Sequence, residues 1–273
     1  MTILMTGATG LVGARLVPRL VEAGFDCRVL MRGGKAAPAG VTAVAGDLDD
    51  PASLGPAVAG VSAIVHLAAV FRTPDADLIR RGNLDGTQAL IAAAQAHAPD
   101  ARLVMASTSN IYDADTPRPG REDDAADPQA AYPASKLAAE GALRASGLTW
   151  SVLRFGFVYG EGDGHLEALP GYVASGQARF HPAGRMSTVH HRDIATAVTL
   201  ALSGATDGRV VNVADDAAMS YLELFELVGA TIAPSSAPLA NPWHLQIDNG
   251  LARRLGFRPI VATVRQAVRE GLM

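Results

Sequence analysis

Lysine is almost missing from this chain. Of 23 basic residues among 273, only Lys35 and Lys136 are lysines, and the other 21 are arginine. Cysteine is scarcer still. Cys27 stands alone, which excludes an internal disulfide and points to a reducing compartment, with the thiol expected as a small apolar side chain in the second strand. No apolar run reaches the roughly 18 residues that span a bilayer. Met1 leads directly into a strand, without a basic leader or a cleavage site. Both absences point to a soluble, cytoplasmic protein with no membrane partner. Basic patches are lacking too. The net charge is −4 and the arginines are scattered, Arg80-Arg81 and Arg253-Arg254 being pairs and not patches, so a nucleic-acid partner is not expected. The seven histidines include His190-His191, but adjacent side chains point apart and no carboxylate completes a ligand spacing, so no metal is expected.

What is present is an apolar share of 49%, enough for a sizeable core in one large domain or one domain with a small appendage. Short apolar runs predict strands at Thr2–Thr6, Arg28–Met31, Val41–Ala45, Ala63–Leu67, Arg102–Ser107 and Thr149–Phe155. Helical spacing predicts helices at Leu11–Ala23, from Pro51, at Asn83–His97 and at Pro133–Ser146. Strands without a polar face, alternating with helices, predict an α/β fold with a parallel sheet covered on both sides. After Phe155 the rhythm breaks into glycine-rich turns. Helices near Leu166–Ser175, Ile194–Leu202 and Tyr221–Gly229, and a strand at Arg209–Val213, are expected there. The layout is a first domain over 1–155 and a smaller, partly interwoven lobe over 156–273.

The scarce lysine has a telling neighbour. Tyr132-Pro133-Ala134-Ser135-Lys136 sets Lys136 four residues after a tyrosine, where usage alone predicts roughly 0.04 such pairs per chain. Residues four apart share one helix face, about 5–6 Å apart at Cβ. An ammonium there can make a phenol, with an unperturbed pKa near 10, acidic enough to move protons; a surface tyrosine packed on a lysine stem is the plain alternative. The first strand runs into Gly7-Ala8-Thr9-Gly10-Leu11-Val12-Gly13 and then a helix. Glycines let backbone N–H groups approach a phosphate, and the helix N-terminus favours its charge, although the spacing is not the commonest dinucleotide fingerprint. The second strand ends in Arg32-Gly33-Gly34-Lys35, without the carboxylate that would hold the ribose hydroxyls of NAD. Two cations stand where a 2′-phosphate would lie, which favours NADP; Arg32 stacking on the adenine would suit NAD equally.

With these segments in place, the chain resembles the extended short-chain dehydrogenase/reductases, the NAD(P)-dependent epimerase/dehydratase family, over nearly its whole length. The resemblance implies a Rossmann-type doubly wound sheet, with 1–155 binding the dinucleotide and 156–273 the substrate. Gly7, Thr9, Gly10, Leu11 and Val12 fall in its phosphate loop, and Gly46-Asp47-Leu48 is similar to its adenine-side motif. His66-Leu67-Ala68-Ala69 matches the strand lining the cofactor. Asn83-Leu84-Asp85-Gly86-Thr87 matches the helix start whose asparagine supports the sheet. Ser107-Thr108-Ser109-Asn110-Ile111-Tyr112 resembles the segment that supplies a catalytic hydroxyl. Arg154 to Gly160, with Phe155 and Val158, resembles the segment closing over the nicotinamide, and Val189-His190-His191-Arg192-Asp193 matches a C-terminal stretch. Tyr132 and Lys136 become the catalytic pair, with Lys136 also on the nicotinamide ribose. Counting back four from Tyr112 selects Thr108 as the second hydroxyl, with Ser109 as fallback should a bulge shift the frame. A homodimer through the Asn83–His97 and Pro133–Ser146 helices is part of what the resemblance implies.

The implied activity is hydride transfer at a secondary alcohol or ketone of a small polar, sugar-like substrate, with NADP or NAD as cofactor. A non-catalytic NADP sensor on the same fold is the alternative, and retention of the Tyr–Lys pair weighs against it. Ser109, Asn110, His165, Arg185 and Trp243 are the substrate-side candidates. Many sugar-nucleotide members carry an arginine where this chain has Met186, with Arg185 one step earlier, which weakens the nucleotide-sugar reading. Glu122-Asp123-Asp124, in a proline-rich loop over 113–131, reads as a solvated rim.

Overall fold

The computed structural model describes residues 1–33 and 36–273. The first half alternates as the apolar runs require: β1 (Thr2–Thr6), α1 (Gly13–Glu22), β2 (Asp26–Met31), β3 (Thr42–Ala45), α2 (Leu54–Val58), β4 (Ala63–His66), α3 (Ala76–Arg80), α4 (Gly86–His97), β5 (Arg102–Thr108), α5 (Ala131–Arg144) and β6 (Trp150–Phe155). The second half is shorter in its pieces: β7 (Phe157–Tyr159), α6 (Leu169–Ala174), β8 (Arg185–Met186), β9 (Thr188–His190), α7 (His191–Leu202), β10 (Arg209–Val213), β11 (Met219–Ser220), α8 (Tyr221–Leu227), α9 (Gly250–Arg254) and α10 (Val264–Arg269).

Seven strands form one sheet in the order β3-β2-β1-β4-β5-β6-β10, and every pairing in it is parallel. Successive side chains of a strand face opposite sides, so both faces of the sheet are apolar. Ile3, Met5, Val65 and Leu153 pack on one side with Leu16 and Leu20 of α1 and Ile194 and Val198 of α7. Leu4, Ile64, Leu103 and Val152 pack on the other with Leu90 of α4 and Leu143 of α5. This is a Rossmann-type α/β architecture. The chain leaves β1 toward β2 and returns to β4 on the opposite side of β1. That reversal opens a crevice at the C-terminal ends of β1 and β4, where doubly wound sheets bind ligands.

A separate apolar cluster lies in the second half, where Tyr159, Leu169, Met186, Phe225 and Val264 are buried together and the Phe180 ring stacks on Tyr221 at 4.1 Å. The helix expected from Asn83 begins at Gly86. A wider π-helical turn over Arg81–Asp85 precedes it. Such turns displace one residue from the regular ladder, and here Asn83 is fully buried. No described helix is long and apolar enough to cross a membrane, and no group of His, Cys, Asp or Glu that could hold a metal occurs among the described residues.

Candidate active site

The turn after β1 works because three backbone segments nearly touch. Gly7 has φ +72°, and a Cβ there would meet the Ala68 nitrogen at 2.7 Å. A Cβ on Gly13 would lie 2.2 Å from the Gly7 carbonyl oxygen, so α1 starts directly against the turn. No side chain caps α1 and no acid occupies its first turn, which leaves its positive end available to an anion.

A buried relay fixes the other side of the crevice. Thr87 Oγ1 donates to the Asn83 carbonyl at 2.6 Å, so its contact with His66 Nε2 at 2.8 Å must be one in which the imidazole donates. His66 Nδ1 then accepts from Thr6 Oγ1 at 2.6 Å, and Thr6 Oγ1 accepts from the Ala68 N–H at 3.2 Å. Burial, with Lys136 adding to it, pushes the His66 pKa down to about 3, so the ring is neutral. His66 is thus a fixed strut between β1, β4 and α4.

Two adjoining cavities share this crevice. The smaller, about 140 Å³, is lined by Arg32, Gly46, Asp47, Leu48 and Asp49 together with Gly7 and Thr9. The larger, about 540 Å³, takes in the glycine turn through Gly10, Leu11 and Val12, and Leu67, Ala68 and Ala69 beside it. Its far wall carries Thr108, Tyr132, Lys136, Phe155 and Val158, with Ser109, Asn110 and His165 next to them. Arg32 borders both cavities.

Tyr132 and Lys136 sit one turn apart in α5, and Thr108 ends β5. No bulge shifts the frame, because β5 stays in register with β6 through Thr108 opposite Phe155. Ser107 Oγ donates to Glu140 at 2.5 Å. Thr108 Oγ1 accepts the Asn110 N–H at 3.1 Å, and its own proton is committed to none of the described residues. Neither the Tyr132 hydroxyl nor Lys136 Nζ bonds a described residue. The electrostatics differ from the simple picture of an ammonium acidifying a phenol. Burial pushes Tyr132 up to about 12 and Lys136 down to about 8. Desolvation alone drives the Tyr132 shift, so the phenol holds its proton firmly.

Sequence patterns overlooked the group that keeps Lys136 charged. Glu140, one turn further along α5, opposes the burial of the ammonium. It also receives Arg154 of β6 through two bonds of 2.7 and 3.1 Å, with side chains 1% and 4% exposed. A second i, i+4 step after Lys136 would have flagged it. Asn83 braces the same helix, donating to Val70 O and Ser135 Oγ at 2.9 Å each, while Ser135 Oγ donates to the Tyr132 carbonyl at 2.7 Å.

Other expectations need correction. Arg185 is half exposed, donates to the Ala218 carbonyl at 2.9 Å and lines neither cavity, because β8 pairs with β11 and turns it toward Glu223. Trp243 is exposed and lines neither cavity. The acidic run is not a plain solvated rim. Glu122 Oε1 accepts the Asn212 N–H of β10 at 2.8 Å, and Asp124 pairs with Arg118. Lys35, a cation expected at the 2′-phosphate, lies outside the described residues.

Comparison with known proteins agrees with this geometry. The model of the NAD dependent epimerase/dehydratase family matches residues 3–214. Ceramide reductase of Caulobacter vibrioides is 30% identical over 201 residues, covering 71% of this chain, and the chain spans 58% of that relative's length. The 2-alkyl-3-oxoalkanoate reductase of Stenotrophomonas maltophilia is 30% identical over 279 aligned positions, covering 94% of this chain and 81% of that one. The solved structure of MoeE5 in complex with UDP-glucuronic acid and NAD has a TM-score of 0.82 at 26% identity, covering 98% of this chain and 97% of that one. The family match, the parallel sheet and the glycine turn at its switch point lead to one conclusion: this chain belongs to the NAD-dependent epimerase/dehydratase family of short-chain dehydrogenase/reductase enzymes.

Proposed function

We propose that the enzyme oxidises or reduces a secondary alcohol or ketone of a small polar substrate, either as a net reaction or within an epimerisation. One observation carries this reading. Thr108, Tyr132 and Lys136 all line one cavity, beside the glycine turn, and their hydroxyl and ammonium protons have no protein partner among the described residues. The backbone approach at Gly7 and Gly13, which a Cβ would block, fits a dinucleotide phosphate. A bound nicotinamide dinucleotide would give or take the hydride and, when oxidised, add a positive charge to the site. The chain's residues supply the rest. Thr108 donates to the substrate oxygen and orients it. Tyr132 passes its proton to that oxygen in reduction and recovers it in oxidation, and its raised pKa keeps it protonated beforehand. Lys136, kept charged by Glu140, holds the ribose and stabilises the phenolate that remains.

The cofactor reading favours NADP. Arg32 directly follows β2 and lines both cavities, and no carboxylate follows it in sequence before Asp47. The NAD bound by MoeE5, together with Asp47 and Asp49 at the same pocket, keeps NAD as the second choice. The test uses titration and turnover together. Tyr132→Phe is expected to bind NADPH as the unmutated enzyme does and to lose at least ~10²-fold in turnover. An active phenylalanine variant would remove Tyr132 from the chemistry. NADPH is expected to bind more tightly than NADH, with Arg32→Ala closing the gap; equal affinities in the unmutated enzyme would overturn the NADP preference.

A further inference from the structure

The end of the larger cavity away from the glycine turn has a chemistry that the catalytic reading does not use. In the second half its wall carries the apolar and aromatic side chains Phe157, Tyr172, Met186 and Leu245, beside the polar Ser187 and His165. That half contributes no cation to the wall, since Arg185 is turned outward onto the Ala218 carbonyl. The charged side chains lining this cavity, among the described residues, are all cations: Arg32, Arg72 and Lys136. Two of them have been accounted for. Arg32 lies at the cofactor's adenine end and Lys136 beside Tyr132.

Arg72 is the third. It follows β4 in the loop that also carries Phe71, and its guanidinium carbon lies over the Phe71 ring, 4.9 Å from the centroid. The Phe71 and Tyr132 ring centroids are 5.7 Å apart. Arg72 is therefore within two contact lengths of the catalytic ring. No carboxylate among the described residues pairs with it. Its partner is His165 Nε2 across the cavity, and His165 Nδ1 bonds the Val158 carbonyl at 3.0 Å. A carbonyl only accepts, so Nδ1 carries the proton and Nε2 meets Arg72 with a lone pair. A neutral imidazole is a weak partner for a guanidinium, and an anion would displace it readily.

We infer that Arg72 receives the carboxylate of an amphipathic oxo acid, or of the matching hydroxy acid, whose apolar chain lies on Phe157, Tyr172, Met186 and Leu245. The inference rests on the oxidoreductase reading above and narrows its substrate. One guanidinium beside an apolar wall matches a single carboxylate. A nucleoside diphosphate presents two charged groups and calls for several donors. In reduction the carbonyl carbon gains a hydride from the reduced cofactor and its oxygen gains a proton from Tyr132. The C=O π bond breaks, the product is a secondary alcohol, and the cofactor ends oxidised.

The experiment compares 3-oxohexanoate with its methyl ester as substrates of the purified protein, with NADPH and with NADH. In parallel, calorimetry measures binding of hexanoate and of methyl hexanoate, which have no ketone. The acid is expected to exceed the ester by at least about tenfold in kcat/KM, the scale of one charge-assisted pair. Arg72→Gln should remove that preference and Arg185→Gln should keep it. Hexanoate binding should likewise weaken about tenfold in Arg72→Gln. Equal use of acid and ester overturns the carboxylate site and leaves the oxidoreductase reading standing. No turnover of either ketone, with hexanoate binding that depends on Arg72, supports the site and sinks ketone reduction. Hexanoate binding indifferent to Arg72 overturns the site whatever the turnover shows.

Discussion

Glu140→Gln tests the hidden half of α5. The substitution preserves shape and removes one charge at a place 1% exposed, facing an Arg154 side chain 4% exposed. Leaving a buried cation without its partner costs about 3–5 kcal/mol. Arg154 keeps the Tyr112 hydroxyl at 2.9 Å, and the glutamine carbonyl still accepts one bond, so the low end applies, about 3 kcal/mol. In a chain of this size each kcal/mol moves Tm by about 2–4 °C, which gives a fall of roughly 6–12 °C. Adding Arg154→Met removes the stranded cation and should recover part of the loss. The second consequence is catalytic. Lys136 already titrates at about 8, down from its ordinary 10.5, and Glu140 is the group that opposes this fall. Between those two values the unfolded lysine holds a proton that the folded one has released, so stability rises with pH there. Without Glu140 the folded pKa drops further, that window widens downward, and the alkaline limb of the turnover profile moves to lower pH. Scanning calorimetry and a pH–kcat series read both effects. A variant melting within about 2 °C of the unmutated protein, with its alkaline limb in place, would refute the account.

Two further substitutions separate the turn from the scaffold. Gly13→Ala puts a methyl 2.2 Å from the Gly7 oxygen and 2.7 Å from Ala8 Cα; both are backbone atoms, so the turn must open. NADPH and NADH should each bind at least about tenfold more weakly by fluorescence titration while the far-ultraviolet dichroism is unchanged, and intact binding would mean the turn does not hold the phosphates. Asp215→Asn keeps an acceptor for Thr188 Oγ1, whose bond to the carboxylate is 2.5 Å. Burial raises Asp215 to about 7 from its ordinary 3.8, so the folded protein holds a proton that the unfolded chain releases between those values and stability falls as pH rises. The asparagine variant should therefore gain on the unmutated protein across that window, by up to about 4 kcal/mol in urea unfolding, and a gap constant with pH would exclude the effect.

What could be read from the residues was the part with a period or a fixed spacing. The parallel strands announced themselves because both faces are buried, so Thr2–Thr6 and Arg209–Val213 are built around the short apolar stretches Ile3-Leu4-Met5 and Val210-Val211 and appear at the bounds expected for them. Asn83 belonged to a motif, yet the π-helical turn that buries it leaves no trace in helical spacing, since a single displaced residue barely alters a 3.6 period. Arg72 carried no signal at all. It stands in a loop, and its meeting with His165, 93 residues along the chain, is made by tertiary placement alone. Tyr132 and Lys136 show a different limit. Spacing put the two groups together, but whether a phenol next to an ammonium becomes more or less acidic depends on how dry the site is, and dryness belongs to the folded surroundings. Burial shifts both groups toward their neutral forms, so acidity in Tyr132 must come from charge brought in with a ligand. On the reading proposed above, Tyr132 would then serve as proton donor only once a bound cofactor and substrate fill the site.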